Sequence, residues 1–158
     1  MNALNLNAPV DTLAMEFTRE FDAPVEALFR AHADPDLVKK WLGPRGLEME
    51  VTEWEFKNHG GYRYVHSNDD GEFAFNGTFH TVRENEFILQ TFEFEGMPDN
   101  VNIEYMWFED LGDGRTRLHA QSLGDSFEGR DAMLSSGMDT GVHEGYAKLD
   151  ALLADGAI

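Results

Sequence analysis

The sequence has no cysteine among its 158 residues. A chain without thiols cannot form a disulfide framework, a thiolate metal site or a cysteine nucleophile. Its first ten residues also lack a basic start and a long apolar run, so neither a signal peptide nor a membrane-spanning helix is predicted. By default, these absences predict a cytoplasmic protein.

Basic residues are scarce. The chain has 12 Lys and Arg against 30 Asp and Glu, which gives a formal net charge of -18. Such a charge repels phosphate backbones and anionic lipid head groups, so nucleic acid and membrane partners are not expected. Solubility or adaptation to salt is the simplest reason for the charge, and a specific basic partner is the alternative.

The rest of the composition is typical of one globular domain. An aromatic content of 12% is too high for a disordered chain, and the length suits a single core. No fixed-period repeat, low-complexity stretch or interior linker interrupts the sequence. We therefore predict one domain over residues 1–158, in which residues 1–10 are flexible.

Alternation of apolar and polar residues predicts seven strands. Short turns rich in Gly, Asn and Asp separate most of them, and short links favour antiparallel neighbours. Two short helices are predicted after the first strand, over residues 24–33 and 34–41. The predicted strands span residues 13–21, 47–56, 62–66, 73–83, 87–95, 101–108 and 115–123.

The second predicted strand contains an irregularity. Within residues 47–56 the apolar side chains switch from odd to even positions after Val51, which a regular strand cannot do without moving residues to its other face. A bulge near Thr52 and Glu53 is therefore expected. Bent strands favour a concave sheet over a flat one.

Residues 129–154 carry apolar side chains at steps of three and four, which predicts one long amphipathic helix. Gly137, Gly141 and Gly145 form one row along it, and each costs about 1 kcal/mol of helix propensity relative to alanine. Two explanations are open. The glycines allow the helix backbone to approach the sheet closely, or they leave space for a ligand between helix and sheet.

Aromatic and methionine side chains are the most informative residues. A pocket lined by rings and thioethers suits a flat apolar ligand, although an ordinary core uses the same residues. The predicted strands 87–95 and 101–108 are apolar on both faces, whereas a sheet covered by one helix has one inner face. The surplus indicates a partner surface, such as a homodimer contact.

Five motifs resemble a known family when they are taken in order along the chain. They are Phe21-Asp22-Ala23-Pro24-Val25, Trp41-Leu42-Gly43-Pro44, Gly60-Gly61-Tyr62-Arg63-Tyr64, Asn76-Gly77-Thr78-Phe79, and Gly141-Val142-His143-Glu144-Gly145-Tyr146 with Leu149 and Leu152-Leu153. Nearly the whole chain resembles the activator of Hsp90 ATPase homologue family, within the START-like (SRPBCC, or Bet v 1-like) superfamily.

The resemblance implies an α+β helix-grip fold. In that fold a curved seven-stranded antiparallel sheet holds a long C-terminal helix, and two short helices follow the first strand. It implies less about activity, because relatives include lipid carriers, plant hormone receptors and aromatic cyclases. The eukaryotic activator has a further N-terminal domain that contributes to its Hsp90 contact, and this sequence has no room for one, so Hsp90 is not an expected partner.

No motif for metal or nucleophilic chemistry is present. His143-Glu144 lacks the second histidine of a zinc-protease helix, because Ala147 stands in its place. General acid-base catalysis stays open, since a carboxylate or histidine facing an apolar cavity has a shifted pKa. The candidates by strand position are Glu53, Glu93, Glu104, His66, His80 and His119.

The leading hypothesis is a protein, without cofactor or metal, that binds a small apolar molecule between the last helix and the sheet. A cyclase or dehydratase in the same cavity is the first alternative, and a chaperone-associated or stress-response interaction protein is the second. An inward carboxylate or histidine with a perturbed pKa would favour catalysis. The expected ligand-binding residues are Trp41, Tyr62, Tyr64, Phe75, Trp107, Gly137, Met138 and Gly141.

Overall fold

A computed structural model describes residues 2–156 and 158 of the chain. Eight antiparallel strands form one curved sheet in the order β1-β2-β8-β7-β6-β5-β4-β3. The strands are β1 (Asn5–Asn7), β2 (Ala14–Phe21), β3 (Glu48–Trp54), β4 (Gly60–Asn68), β5 (Gly71–Arg83), β6 (Phe87–Phe94), β7 (Val101–Gly112) and β8 (Arg115–Leu123). The helices are α1 (Val25–Ala33), α2 (Pro35–Trp41), α3 (Phe127–Ser135) and α4 (Met138–Ala154).

The predicted α+β fold with a curved antiparallel sheet is confirmed, and each of the seven predicted strands has a counterpart. The strand count is the difference, because β1 adds an eighth strand at one edge. Its three residues pair with β2 from Asn5 opposite Thr18 to Asn7 opposite Glu16. The flexibility of residues 1–10 stays a prediction, and Met1 lies outside the described residues.

The expected bulge in β3 is confirmed. The register of β3 against β4 shifts between Val51 and Glu53. Similar shifts occur in β5 between Phe79 and Thr81 and in β7 after Asp110. Each extra residue increases the local twist and bend, and the sheet therefore curves toward the helices. We call the face toward the helices the inner face.

The single long helix expected over residues 129–154 is wrong. The chain instead forms α3 and α4, which are separated at Gly137, where φ is 84°. Glycine tolerates this left-handed conformation, which other residues adopt at a cost and which cannot continue a right-handed helix. The side chain of Ser126 begins α3 by accepting a hydrogen bond of 3.0 Å from the Gly129 backbone N–H.

The second half of α4 fills the inner face at one end of the sheet. Tyr146 packs edge-on against Phe21, with ring centroids 5.3 Å apart, and stacks on Trp41 at 5.7 Å. Leu149 is fully buried in the same cluster. Aromatic contacts of this kind stabilise a core beyond the burial of their area. This end of the molecule is an ordinary packed interior.

Gly145 provides the close backbone approach that was one explanation of the glycine row. A Cβ atom at Gly145 would lie 3.0 Å from the Trp41 carbonyl oxygen and 3.3 Å from the backbone of Gly43. The approach is to the loop after α2, however, and not to the sheet. A Cβ atom at Gly141 would meet Pro44 at 3.6 Å, which is an ordinary contact.

Across residues 2–156 and 158, every helix is too short or too polar to cross a bilayer.

Candidate functional site

A row of polar side chains crosses the inner face in the middle of the sheet. Register places Gln90 of β6 opposite Glu104 of β7, and Glu104 opposite Ser122 of β8. The Gln90 amide donates a hydrogen bond of 2.9 Å to Glu104 Oε1. Two residues before Glu104 in β7, the Asn102 amide donates a hydrogen bond of 3.2 Å to Ser122 Oγ. These four residues are called the polar row below.

Aromatic side chains lie beside the polar row on the same face. Phe75 of β5 lies between Phe92 and Phe94 of β6, with ring centroids 5.4 and 5.1 Å away. Met106 follows Glu104 by two residues in β7 and shares its face. All four side chains are half-buried, whereas the core under α4 is sealed. The inner face is therefore filled at one end and partly open at the other.

The junction between α3 and α4 borders the open part. Met133 of α3 contacts the polar row, because its sulfur lies 3.6 Å from the Asn102 amide nitrogen. Met138 and Val142 in the first turns of α4 are half-buried. Gly137 at the junction has no atom within 4 Å of where a Cβ atom would stand. The helices thus cover this region without sealing it.

Glu104 has an unusual environment for a carboxylate. Burial raises the pKa of its carboxyl, and the hydrogen bond from Gln90 opposes that rise. Among the described residues, the sealed side-chain atoms without a partner are Arg19 Nε, His32 Nε2 and His66 Nδ1. Glu104 Oε2 is not one of them and accepts no hydrogen bond from the described residues, so this oxygen keeps some contact with solvent. A carboxyl of this kind can accept a hydrogen bond or exchange a proton.

The charge of Glu104 acts on three buried tyrosines. Burial, together with the negative charge of Glu104, raises the pKa of the Tyr62, Tyr64 and Tyr146 phenols. The Tyr62 hydroxyl donates a hydrogen bond of 2.5 Å to the Thr91 carbonyl oxygen. These phenols remain protonated at neutral pH and act as structural and hydrogen-bonding groups.

His66 is the other ionisable candidate that faces inward. It is 4% exposed and contacts the rings of Tyr64 and Phe75, at 5.2 and 5.7 Å between centroids. Burial and the nearby charge of Lys148 lower its pKa. A neutral imidazole is therefore favoured. An added Cβ atom at Gly43 would clash with this ring at 2.7 Å, which explains the glycine there.

The remaining acid-base candidates lie on the outer face or at the surface. Glu93 accepts a hydrogen bond from Asn76 at 3.2 Å, and His119 is 2.7 Å from Glu109. Glu53 and His80 are exposed. The alternation of apolar and polar residues could not separate Glu93 from Glu104, because strands β6 and β7 carry apolar residues on both faces.

The predicted ligand-binding residues divide into groups. Tyr62 and Tyr64 of β4 are buried, at 3% and 6% exposure, and form the floor of the inner face, and Trp41 of α2, at 3% exposure, belongs to the same core cluster. The Trp41 indole donates a hydrogen bond of 3.0 Å to the Ala31 carbonyl oxygen. Phe75 is half-buried in the open part. The structure brings these four residues to one face of the sheet.

The other four predicted ligand-binding residues do not lie in one place. Met138 and Gly141 are half-buried near the helix junction, and Gly137 is the exposed residue between the helices. Trp107 is 40% exposed and pairs with Phe87 and His119 on the outer face. It cannot contact a ligand between helix and sheet, because successive side chains of a strand point to opposite faces.

A buried ion pair was missed by sequence reasoning. Arg19 of β2 is 1% exposed, and its guanidinium donates two hydrogen bonds to Asp150 of α4 at 2.9 and 2.6 Å. The signal was present, because Met15, Phe17 and Phe21 occupy the odd, inward positions of that strand. Arg19 has the same parity and must therefore face inward.

A surface groove of about 380 Å³ lies between α2 and the edge strand β3. Its lining includes Pro35, Lys39 and Trp54, and no residue of α4. It is not the cavity expected beneath the last helix. Within the described part of the chain, no three His, Asp or Glu side chains converge as metal ligands do.

The outer face carries an exposed apolar patch in the middle of the sheet. Tyr105 and Trp107 stack at 5.5 Å, Phe87 lies 5.6 Å from Trp107, and Val101 and Ile103 are 44% and 43% exposed. This is where the surplus apolar residues of the two strands lie. The homodimer contact stays a prediction.

Solved bacterial structures have the same fold. A protein from Arthrobacter aurescens matches with a TM-score of 0.87 and 25% identity, over 96% of this chain and 91% of that chain. A protein from Rhodobacter sphaeroides matches with a TM-score of 0.87 and 25% identity, over 97% of this chain and 99% of that chain. The AHSA1 protein from Silicibacter pomeroyi matches with a TM-score of 0.72 and 25% identity, over 89% of this chain and 97% of that chain.

Sequence comparison leads to the same family. No curated protein matches this chain in sequence. The family model described as Activator of Hsp90 ATPase homolog 1-like protein matches residues 22–154, which include both short helices, all strands from β3 to β8, and α4. The chain therefore belongs to the Activator of Hsp90 ATPase homolog 1-like family.

Proposed function

We propose that the protein binds a small hydrophobic molecule between the α3–α4 junction and the inner face of the sheet. The observation that carries this proposal is the half-buried group of Phe75, Phe92, Phe94 and Met106 beside the polar row on the inner face. Apolar side chains that line a concave, partly open surface are typical of ligand sites. Met138 borders the same opening.

The proposal keeps most of the residues expected from the sequence. Tyr62 and Tyr64 form the floor of the site, Phe75 and Met138 form its sides, and Gly141 lies beside Pro44. Trp41 supports the floor from the packed core. Trp107 is excluded by its place on the outer face.

Binding is tested with N-phenyl-1-naphthylamine, a neutral dye that fluoresces in apolar surroundings. We expect saturable binding of one dye per chain. Met106→Lys should abolish it, because a charge would enter the apolar surface. Trp107→Lys is the matched control, since it places the same charge on the next residue of β7 but on the outer face, and it should leave binding unchanged.

Two further measurements keep the test interpretable. Circular dichroism reports whether Met106→Lys folds, and Phe92→Leu, which removes ring area without adding charge, should weaken dye binding severalfold. Linear, unsaturable dye uptake, or equal effects of the two lysine variants when both are folded, would contradict the proposal.

Proton-transfer catalysis in the same site is the second candidate function, and the inward position of Glu104 favours it. A carboxylate base can remove the ring C–H proton of 5-nitrobenzisoxazole, after which the N–O bond breaks and a phenolate is released. We expect protein-dependent turnover of this compound that Glu104→Gln removes. Turnover no faster than in buffer, or unchanged in the variant, would reject catalysis and leave binding intact.

Association with a chaperone and a role in the stress response are a third hypothesis, which rests on the family description. Stimulation of the ATPase rate of a bacterial Hsp90 by this protein would support it. The cytoplasmic location predicted from the sequence also stays a prediction, and fractionation of the producing cells tests it.

A further inference from the structure

We infer that the ligand of this site carries a cationic amine on an apolar body, and that Glu104 is the partner of the amine. The inference rests on the proposed function, because it names the chemical class of the molecule that the inner face binds. It would also explain why a carboxylate lies beside the aromatic side chains of the inner face.

Side-chain amides of the polar row make three hydrogen bonds within the protein. The Gln90 amide donates to Glu104 Oε1 at 2.9 Å, and the Asn102 amide donates to Ser122 Oγ at 3.2 Å and contacts the Met133 sulfur at 3.6 Å. Glu104 Oε2 accepts none of these bonds, and an ionised carboxylate oxygen can only accept. A ligand that supplies an N–H donor complements it.

The protein supplies no cation to Glu104. The described Lys and Arg side chains make ion pairs with other carboxylates, or with none, but not with Glu104. Arg19, which shares the inner face, donates from both terminal guanidinium nitrogens to Asp150, at 2.9 and 2.6 Å. A carboxylate at an apolar surface without a counter-charge is unfavourable, and either protonation or a cationic partner relieves this cost.

The charge of the whole chain also favours a cationic ligand. A formal net charge of -18 attracts cations and repels anions before contact. An anionic amphiphile would bring a second carboxylate toward Glu104, where like charges disfavour each other. Fatty acids are thus poor candidates, whereas an amine with an apolar chain or ring satisfies both the surface and the carboxylate.

The test compares three amphiphiles with the same chain: dodecylamine, dodecanol and dodecanoate. Each displaces bound N-phenyl-1-naphthylamine at neutral pH and physiological salt, below its critical micelle concentration. We expect the amine to bind about tenfold more tightly than the alcohol, as one charge-assisted hydrogen bond predicts, and the carboxylate to bind most weakly. Glu104→Gln should remove the advantage of the amine and change the alcohol less than twofold.

Glu16→Gln is the matched control, because it removes one negative charge from an exposed position of β2. It should keep the preference for the amine, since only the general attraction of the chain changes. An equal loss of preference in both variants would overturn the inference and assign the effect to net charge. Equal affinities, or tighter binding of dodecanoate, would also overturn it.

The failure of the inference is distinguishable from failure of the proposed function. If the neutral dye does not bind saturably to the unmodified protein, the binding function itself is rejected. If the dye binds and the three amphiphiles displace it without the expected order, the function stands and the amine class is rejected.

Discussion

His32 is a buried histidine in α1 whose ionisation opposes folding. It is 8% exposed, and its Nδ1 lies 2.8 Å from the Leu28 carbonyl oxygen, to which it donates. Its Nε2 is sealed and has no partner. Burial lowers the pKa of His32 to about 4. The folded protein thus holds a neutral imidazole packed against the rings of Trp41 and Phe108.

This environment predicts a loss of stability in acid. The unfolded chain has an ordinary histidine pKa of about 6.5, so it binds more protons than the folded chain between pH 6.5 and about 4. The contribution of His32 is complete above that range and falls as pH decreases through it, by on the order of 3 kcal/mol. Urea unfolding at several pH values should therefore show a flatter decline in His32→Leu.

The exposed residue His143 provides the control for that experiment. His143→Leu should follow the unmodified protein across the whole pH range. A His32→Leu variant that declines as steeply as the unmodified protein would show that His32 does not limit stability in acid.

Individual residues also show where sequence reasoning stops. Glu104 could be named as a candidate but not oriented, because its neighbours Tyr105 and Met106 are both apolar and give no parity signal. Only pairing with Gln90 and Ser122 places it on the inner face. Arg19, in contrast, lies in a strand with clear alternation, so its inward position could have been predicted.

At the scale of elements, α4 is held to β2 by the pair of Arg19 and Asp150. The Arg19 side chain has no solvent exposure, and that of Asp150 is 27% exposed. Removal of one partner leaves an unpaired buried charge, which typically costs about 3 kcal/mol or more. We expect Asp150→Ala to lower the free energy of unfolding by about this amount in urea titrations.

Removal of both partners should be less harmful than removal of Asp150 alone. The double variant Arg19→Met with Asp150→Ala no longer buries a charge, so it should be more stable than Asp150→Ala. Glu20→Ala is the comparison at the outer face, where the partly exposed pairs with Arg115 and Arg117 should contribute about 1 kcal/mol or less. A double variant that is less stable than Asp150→Ala would contradict this account.

Two glycines of α4 make a matched pair. Gly141→Ala should be neutral or stabilise the helix by up to about 1 kcal/mol, because its Cβ atom would make only an ordinary contact with Pro44. Gly145→Ala should destabilise by about 1 to 3 kcal/mol, since its Cβ atom would press on the backbone of Trp41 and Gly43. Thermal unfolding of both variants checks the contrast, and equal effects would contradict it.

Strands and helices were predicted well where their own residues carry the pattern, and poorly where they depend on pairing or on a single backbone angle. The strands from β2 to β8 have alternation and turn residues of their own. Strand β1 has three residues, Asn5 to Asn7, and exists through its pairing with β2. The helix break at Gly137 was hidden, because apolar spacing continues across it and only its φ of 84° separates α3 from α4.

At the scale of the whole molecule, acidic side chains are paired with basic ones on some surfaces and not on others. On the outer face, Arg115 and Arg117 form a network with Glu20, Asp22 and Glu109. The edge strand β3, in contrast, carries exposed glutamates without a cation in the same strand. Charged residues on an edge strand discourage pairing with other chains, which suits a sheet whose β3 edge is open.

This imbalance predicts that salt stabilises the fold. The 30 acidic residues outnumber the 12 basic ones by 18, and folding brings the excess negative charges closer together than they are in the expanded chain. Salt shortens the reach of their repulsion to about 3 Å at 1 M, while it weakens the few surface ion pairs by less than about 1 kcal/mol each. The midpoint of thermal unfolding should therefore rise with sodium chloride. Choline chloride at equal ionic strength should raise it equally, whereas glucose at equal osmolality should do less. A midpoint that falls with salt would mean that the surface ion pairs outweigh the repulsion.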